Sequence, residues 1–306
     1  MRNAFADEIC RIGVDDPRVV LLSGDIGNRL FDPFKDAAGE RFVNCGVAEQ
    51  NMMSVASGLA LSGFRPVVYT ITPFTTYRCF EQIRIGVCYH RAPVLIVGTG
   101  SGLAYASLGP THHSMEDIAI LRTLPGMTVF CPADAMQVRA GLRAALALDG
   151  PVYMRIGKKN ETLIHEDVPQ IELGRAMTMR EGSDVCLVGT GVVMPLLLDA
   201  AERLAALDIS ARVENYHTVK PLDETRLQEL AESFGTLVVA EEHGRIGGLF
   251  GAISEWMASY RGRRPHLLAF GSTDSFLHEI GTQDFARRHY GISPEAVVEG
   301  VRQASR

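Results

Sequence analysis

Arg41-Phe42-Val43-Asn44-Cys45-Gly46-Val47-Ala48-Glu49-Gln50-Asn51-Met52 decides the fold class of this chain, because an apolar run passes into a helix across a single glycine. Residues 41–45 read as a short strand, and residues 47–61 are apolar or small nearly all round, which predicts a buried helix. Working outward, runs rich in β-branched residues recur at 19–22, 66–69, 93–97, 127–130 and 152–154, and helices fit at 47–61, 77–89 and 133–147. The strands are continuously apolar rather than alternating, which implies a parallel sheet covered on both faces. Such sheets bind ligands at the carboxyl ends of their strands.

From 158 to about 182 the chain turns polar, with Lys158-Lys159-Asn160-Glu161 and His165-Glu166-Asp167 ahead of Pro169, and this reads as an interdomain connection. The pattern then restarts, with strands at 184–189, 211–213 and 236–240 and helices at 194–207 and 223–234. Ser293 as N-cap and Pro294 at the first helical position open a final helix. Two α/β domains are therefore expected, each a mostly parallel sheet flanked by helices, over residues 1–172 and 173–306.

A chain of 306 residues with 46% hydrophobic content sustains such cores without disulfides. The cysteines at 10, 45, 79, 88, 131 and 186 show no C-x-x-C spacing, so they suggest neither a zinc site nor a disulfide framework and read as thiols of a reducing compartment. No run of about 18 apolar residues marks a membrane span, and Asp7 and Glu8 come too early for a signal peptide. A cytoplasmic location is the expectation. The net charge of −6 is spread without a basic stripe, which argues against nucleic acid as a partner.

Glu49 is a lone carboxylate at the start of the buried helix. It reads either as a group making cap and dipole contacts or, with no cation in its own segment, as an acid kept neutral by desolvation and able to donate a proton. Ser23-Gly24-Asp25-Ile26-Gly27 follows a strand and suits either an ordinary turn or the close approach of a ligand. Phe74, Tyr77 and Phe80 recur at spacing three, as a core stripe or as one wall of a pocket. His112 and His113 lie in a glycine-rich loop that starts at Gly98-Thr99-Gly100, where packing explains them poorly; adjacent side chains diverge and no third ligand is evident, which disfavours a metal.

Gly46-Val47-Ala48-Glu49-Gln50-Asn51 and Ser57-Gly58-Leu59-Ala60 resemble the pyrimidine-domain motif of transketolases and 1-deoxyxylulose-5-phosphate synthases, and Gly109-Pro110-Thr111-His112 resembles a further signature of the transketolase family. The resemblance implies thiamine diphosphate as cofactor, with Glu49 hydrogen-bonding N1′ of its aminopyrimidine ring and relaying a proton. It also implies an aromatic enclosure of that ring by Phe74, Tyr77 and Phe80, support of the cofactor site from Asp25, and contact of His112 with the substrate. Arg155 and Arg2 match arginines that bind the sugar phosphate, for which an arginine fork is suited. His113 carries no such implication. Segments 217–223 and 241–248 are similar to the family's C-terminal domain, to which no catalytic role is given.

The family holds the diphosphate through Mg²⁺ on a Gly-Asp-Gly segment, which this sequence lacks. The resemblance therefore implies the second subunit of a split transketolase, its active site shared with a separate diphosphate-binding subunit, in an α₂β₂ assembly. Leu108 stands where the family carries an acid, and Gly100 where it carries a substrate histidine, so the expected substrate departs from the ordinary pentose phosphates. The expected reaction is transfer of a two-carbon ketol unit from a ketose, phosphorylated or otherwise, to an aldose. Its rivals are the beta subunit of a 2-oxo acid dehydrogenase, a decarboxylating synthase, and a non-catalytic regulatory relative.

Overall fold

Apart from an edge strand, the apolar runs of the first half become strands largely buried on both faces, in a computed structural model that describes residues 1–304. They are Val19–Ser23 (β1), Phe42–Asn44 (β2), Arg65–Ile71 (β3), Leu95–Thr99 (β4), Thr128–Phe130 (β5) and Val152–Ile156 (β6), all parallel in the order β5-β6-β4-β3-β1-β2. Helices Arg2–Asp15 (α1), Asp32–Ala38 (α2), Glu49–Leu61 (α3), Thr72–Thr75 (α4), Asp117–Arg122 (α5) and Ala135–Ala147 (α6) connect them. Asp134 caps α6 by accepting from the Gln137 amide, so this helix starts where a short acid precedes an alanine-rich run.

A second sheet contains Met177–Arg180 (β7), Val185–Gly189 (β8), Ala211–Asn215 (β9), Thr236–Gly244 (β11) and His266–Ser272 (β12), in the order β12-β11-β8-β9-β7 with only β7 antiparallel. Thr218–Lys220 (β10) leaves this unit and pairs antiparallel with β5 of the first sheet. There Lys220 donates to the carbonyls of Arg122 and Leu124, so the crossing is held by side chain as well as backbone. Helices Met194–Ala205 (α7), Glu224–Ser233 (α8), Leu249–Ser259 (α9), Gln283–His289 (α10) and Pro294–Ala304 (α11) complete the unit, and Ser293 caps α11 through the Ala296 amide as the sequence suggests. One continuous hydrophobic cluster includes Val68 and Ile96 of the first sheet with Val188 and Val239 of the second.

Three local expectations are corrected. The 41–45 strand narrows to β2, which forms the sheet edge and is only partly buried. Helix α3 buries Met52, Met53, Ala56 and Ala60 but leaves Val55 and Leu61 exposed, with Val47 ahead of it 77% exposed, so its apolar character is not matched by burial all round. The helix expected over 77–89 begins irregularly and becomes a π-helix over Gln82–Tyr89. Its wider turn presents the Gly86 carbonyl to the Ser57 hydroxyl of α3, which fixes these two helices against each other.

Candidate active site

Glu49 is the first residue of α3 and is only 4% exposed, at the carboxyl-end side of the parallel sheet. Its segment lacks a cation, but the fold brings one: Arg78 Nη1 donates to Glu49 Oε1 at 2.8 Å. Glu49 is thus an ion-paired carboxylate, and the picture of an unpaired buried acid is corrected. The Arg78 guanidinium also lies over the Phe74 ring, 4.3 Å from its centroid, while Gln50 Nε2 donates to the Arg78 carbonyl and holds that turn on α3. Phe74 contacts the His112 ring edge-on at 5.5 Å. Glu49, Arg78, Phe74 and His112 therefore form one contiguous chain of contacts.

His112 reaches this place because the loop after β4 doubles back. Gly100 and Gly102 adopt φ values of +67° and +63°, and a Cβ at Gly100 would collide with the Tyr105 ring. Tyr105 thus fills the space over Gly100 and meets His112 at 5.9 Å. Thr111 Oγ1 lies 2.9 Å from His112 Nδ1, which leaves Nε2 as the nitrogen able to serve a substrate. Lys158 places its ammonium 4.2 Å from the Tyr105 ring centroid, and partial burial followed by the charges of Lys159 and Arg2 holds it below the ordinary lysine range. Among the described residues Arg2 Nε and Thr70 Oγ1 are buried without partners. Two cations that bear on each other, one of them with an unpaired buried Nε, suit an anionic group.

Arg155 does not belong to that group. It is 3% exposed, and its Nε and Nη2 bind Asp117 at 2.8 and 3.3 Å, the Ser114 carbonyl at 2.9 Å and the Glu242 carbonyl at 2.9 Å. Burial opposes its charge, but the Asp117 carboxylate prevails and holds the guanidinium firmly ionised. Arg155 is committed through Nε and Nη2 to a clasp between the two units, so the expectation of a two-pronged phosphate fork there narrows to Nη1, which has no bond among the described residues. Sequence reasoning passed over Lys158, three positions on, whose only signal was its place just beyond a strand end.

The same clasp fixes the loop after β4, with contacts from the second unit and from β6. Glu242 Oε1 accepts from the Leu103 amide at 2.8 Å, the Gly244 amide donates to the Met115 carbonyl at 2.7 Å, and Tyr153 Oη donates to Asp117 at 2.5 Å. Glu241 instead caps α9 through the Leu249 and Phe250 amides, with burial raising its carboxyl pKa.

The remaining expected residues disperse. Tyr77 turns from Phe74 to hydrogen-bond Glu116 at 2.7 Å and lines a cavity of about 380 Å³ with Pro110, His113 and Phe276. Phe80 packs onto the hydrophobic core, so its place is that of a core residue rather than a pocket wall. Asp25 is exposed at the end of β1, where its φ is +56° and Asn44 Nδ2 donates to it at 2.9 Å, apart from the Glu49 chain of contacts. His113 is buried with Nε2 unpartnered among the described residues, and burial lowers its pKa. Leu108 is exposed.

The fit to an aminopyrimidine can be judged from what Arg78 does. A flat cationic group already rests on Phe74 while hydrogen-bonded to Glu49, so the space accepts a planar ring that shares a hydrogen bond with the carboxyl group. The residues fit that end of thiamine diphosphate.

Comparison with known proteins agrees with this geometry. Residues 1–162 match the family model for the transketolase pyrimidine binding domain, and residues 174–297 match that for the transketolase C-terminal domain. The chain is 35% identical over 306 residues to the 6-deoxy-6-sulfo-D-fructose transketolase subunit SqwH of Clostridium sp. (strain MSTE9), covering 100% of this chain and 94% of that one. It is 32% identical to an apulose-4-phosphate transketolase subunit of Phocaeicola vulgatus, covering 97% and 94% of the two chains. Against the 1-deoxy-D-xylulose-5-phosphate synthase of Heliobacterium modesticaldum identity is also 32%, but over 98% of this chain and 46% of that protein. A solved structure described as a split gene transketolase, inactive beta4 tetramer, superposes with a TM-score of 0.89 at 36% identity, covering 99% and 97% of the chains.

Proposed function

Given that this chain belongs to the transketolase family, we propose that it is the pyrimidine-binding subunit of a split, thiamine diphosphate-dependent transketolase that moves a two-carbon ketol unit from a ketose to an aldose. The observation that carries this reading is the contact chain from buried Glu49 through Arg78 and Phe74 to His112 at one end of a parallel sheet. Thiamine diphosphate, when bound, supplies the carbon nucleophile that holds the two-carbon unit between sugars. Glu49 holds a proton at the ring nitrogen of the pyrimidine, Phe74 supplies a flat apolar wall, and Tyr77 shapes the entrance from the Glu116 side. His112 Nε2 binds and orients substrate oxygen and exchanges its proton. Asp25 supports the site from the sheet end nearest the edge strand.

We assign the anionic end of the substrate to Lys158, which lies over Tyr105, and to Arg2, whose charge reaches both and whose Nε is buried without a partner. A phosphate or sulfonate fits that charge equally, and relatives of near-equal length are named for a sulfonated sugar and for a sugar phosphate. The diphosphate and its Mg²⁺ fall to a partner chain, since those relatives are themselves described as subunits. An α₂β₂ complex in the cytoplasm is the assembly we propose. The test is reconstitution with the co-isolating partner and assay of ketol transfer from phosphorylated and sulfonated ketoses. Transfer abolished by Glu49→Gln supports the reading, whereas transfer retained within a few fold sinks it. A decarboxylating synthase is the second reading, favoured by the 32% identity to 1-deoxy-D-xylulose-5-phosphate synthase, and carbon dioxide release from pyruvate would establish it instead.

A further inference from the structure

We propose that Arg78 is a residue of the cofactor pocket whose guanidinium competes with the aminopyrimidine ring for the same two contacts and is displaced by it, so that Arg78 sets how tightly and how fast the cofactor is taken up. The inference rests on the functional reading above.

Arg78 gives Glu49 a hydrogen bond of 2.8 Å and covers Phe74 at 4.3 Å with a flat, delocalised cation. An aminopyrimidine bound to Glu49 uses both: the carboxyl group for a hydrogen bond at its ring nitrogen and a ring face to stack on. One face of Phe74 accommodates one planar group at stacking distance, so the two occupants exclude each other. The exchange is confined to a side chain. Gln50 holds the Arg78 backbone through its carbonyl, while the Arg78 side chain is 44% exposed and has solvent to swing into. Glu49, at 4% exposure, has no such freedom and needs a partner in either state. Arg78 therefore keeps the carboxylate paired until the cofactor's ring nitrogen, sharing a proton with Glu49, takes its place, and every molecule of cofactor must first displace it.

The experiment is titration of the reconstituted complex with thiamine diphosphate by calorimetry and stopped-flow fluorescence, for the wild type, Arg78→Met, Arg78→Lys and Glu49→Gln. Inorganic pyrophosphate, which lacks the pyrimidine, serves as control probe. Arg78→Met is expected to bind thiamine diphosphate about tenfold tighter, mostly through faster association, with pyrophosphate affinity unchanged and the cofactor-free complex melting at a lower temperature. Affinity for thiamine diphosphate that is unchanged or weaker overturns the proposal, since a residue that merely steadies Glu49 predicts weakening. If Arg78→Met does not assemble, Arg78→Lys carries the test: an ammonium cannot stack as a plane, so binding about threefold tighter is expected and unchanged or weaker binding overturns the proposal. A wild-type complex that binds no thiamine diphosphate, with Glu49→Gln indistinguishable from it, sinks the functional reading and this inference with it. Cofactor binding that depends on Glu49 but not on Arg78 sinks this inference alone.

Discussion

Arg155 and Lys158 show how much a residue's role depends on what the fold puts beside it. Both are cations at or just beyond the end of β6, yet one is locked to Asp117 and the other faces Tyr105. Their substitutions should separate cleanly. Arg155→Met leaves the Asp117 carboxylate buried without its partner, so chemical denaturation should register a loss of about 3–5 kcal/mol. Lys158→Met should leave the denaturation midpoint almost unmoved and raise KM for an anionic ketose about tenfold, with kcat within threefold. The opposite pattern would return the anion-binding role to Arg155. Glu49 and His112 stand out in the sequence as candidates because each sits in a compact motif. Arg78 was not, because its role comes from pairing with a residue far from it in sequence, which no local pattern encodes.

At the scale of elements, the loop from Gly98 to Asp117 carries the His112 proposed to act on substrate, and β11 supports it through Glu242. The histidines of this glycine-rich loop stand out in the sequence as poorly explained by packing, but nothing there says that Glu242 holds the loop, because that contact crosses between units. Leu108, exposed on this loop, offers a gain-of-function check: Leu108→Asp should raise kcat/KM for an ordinary hydroxylated ketose phosphate relative to the native donor, and an unchanged ratio would detach Leu108 from substrate choice.

The junction beside α6 carries a defined part of the pH response. Burial would raise the Asp134 pKa, but the His165 side chain and the amides of Gln137, Ile164 and His165 hold it near 2, so its contribution of about 2 kcal/mol is present above pH 4 and lost toward pH 2. Burial depresses His217 to about 4, so the unfolded chain takes up a proton first and stability falls as pH drops from about 6.5 to 4. His217→Gln should flatten the stability curve between pH 6.5 and 4 and leave the steeper loss below pH 4 intact. A wild-type curve flat from pH 7 to 4 would contradict this assignment.

For the molecule as a whole, two parallel sheets follow from continuously apolar strands, and that much could be read in advance. Their union could not. Thr218–Lys220 carries no mark of the sheet it joins, and the core shared by Val68, Ile96, Val188 and Val239 exists only in three dimensions. Residues 1–172 produced alone should therefore lose β10, the Glu242 clasp and part of that core, giving a species that lacks a cooperative melting transition. A sharp transition near that of the full chain would show the halves to be independent. The exposed apolar residues at Val47, Val55 and Leu61, around the helix that carries Glu49, suit the assembly proposed here, in which a second polypeptide covers this face. The measurement that tests that claim most directly is the thiamine diphosphate content of the purified chain, alone and with its co-isolating partner. Cofactor retained stoichiometrically by the complex and absent from the chain alone is the predicted result; cofactor held equally by the chain alone would contradict a shared site.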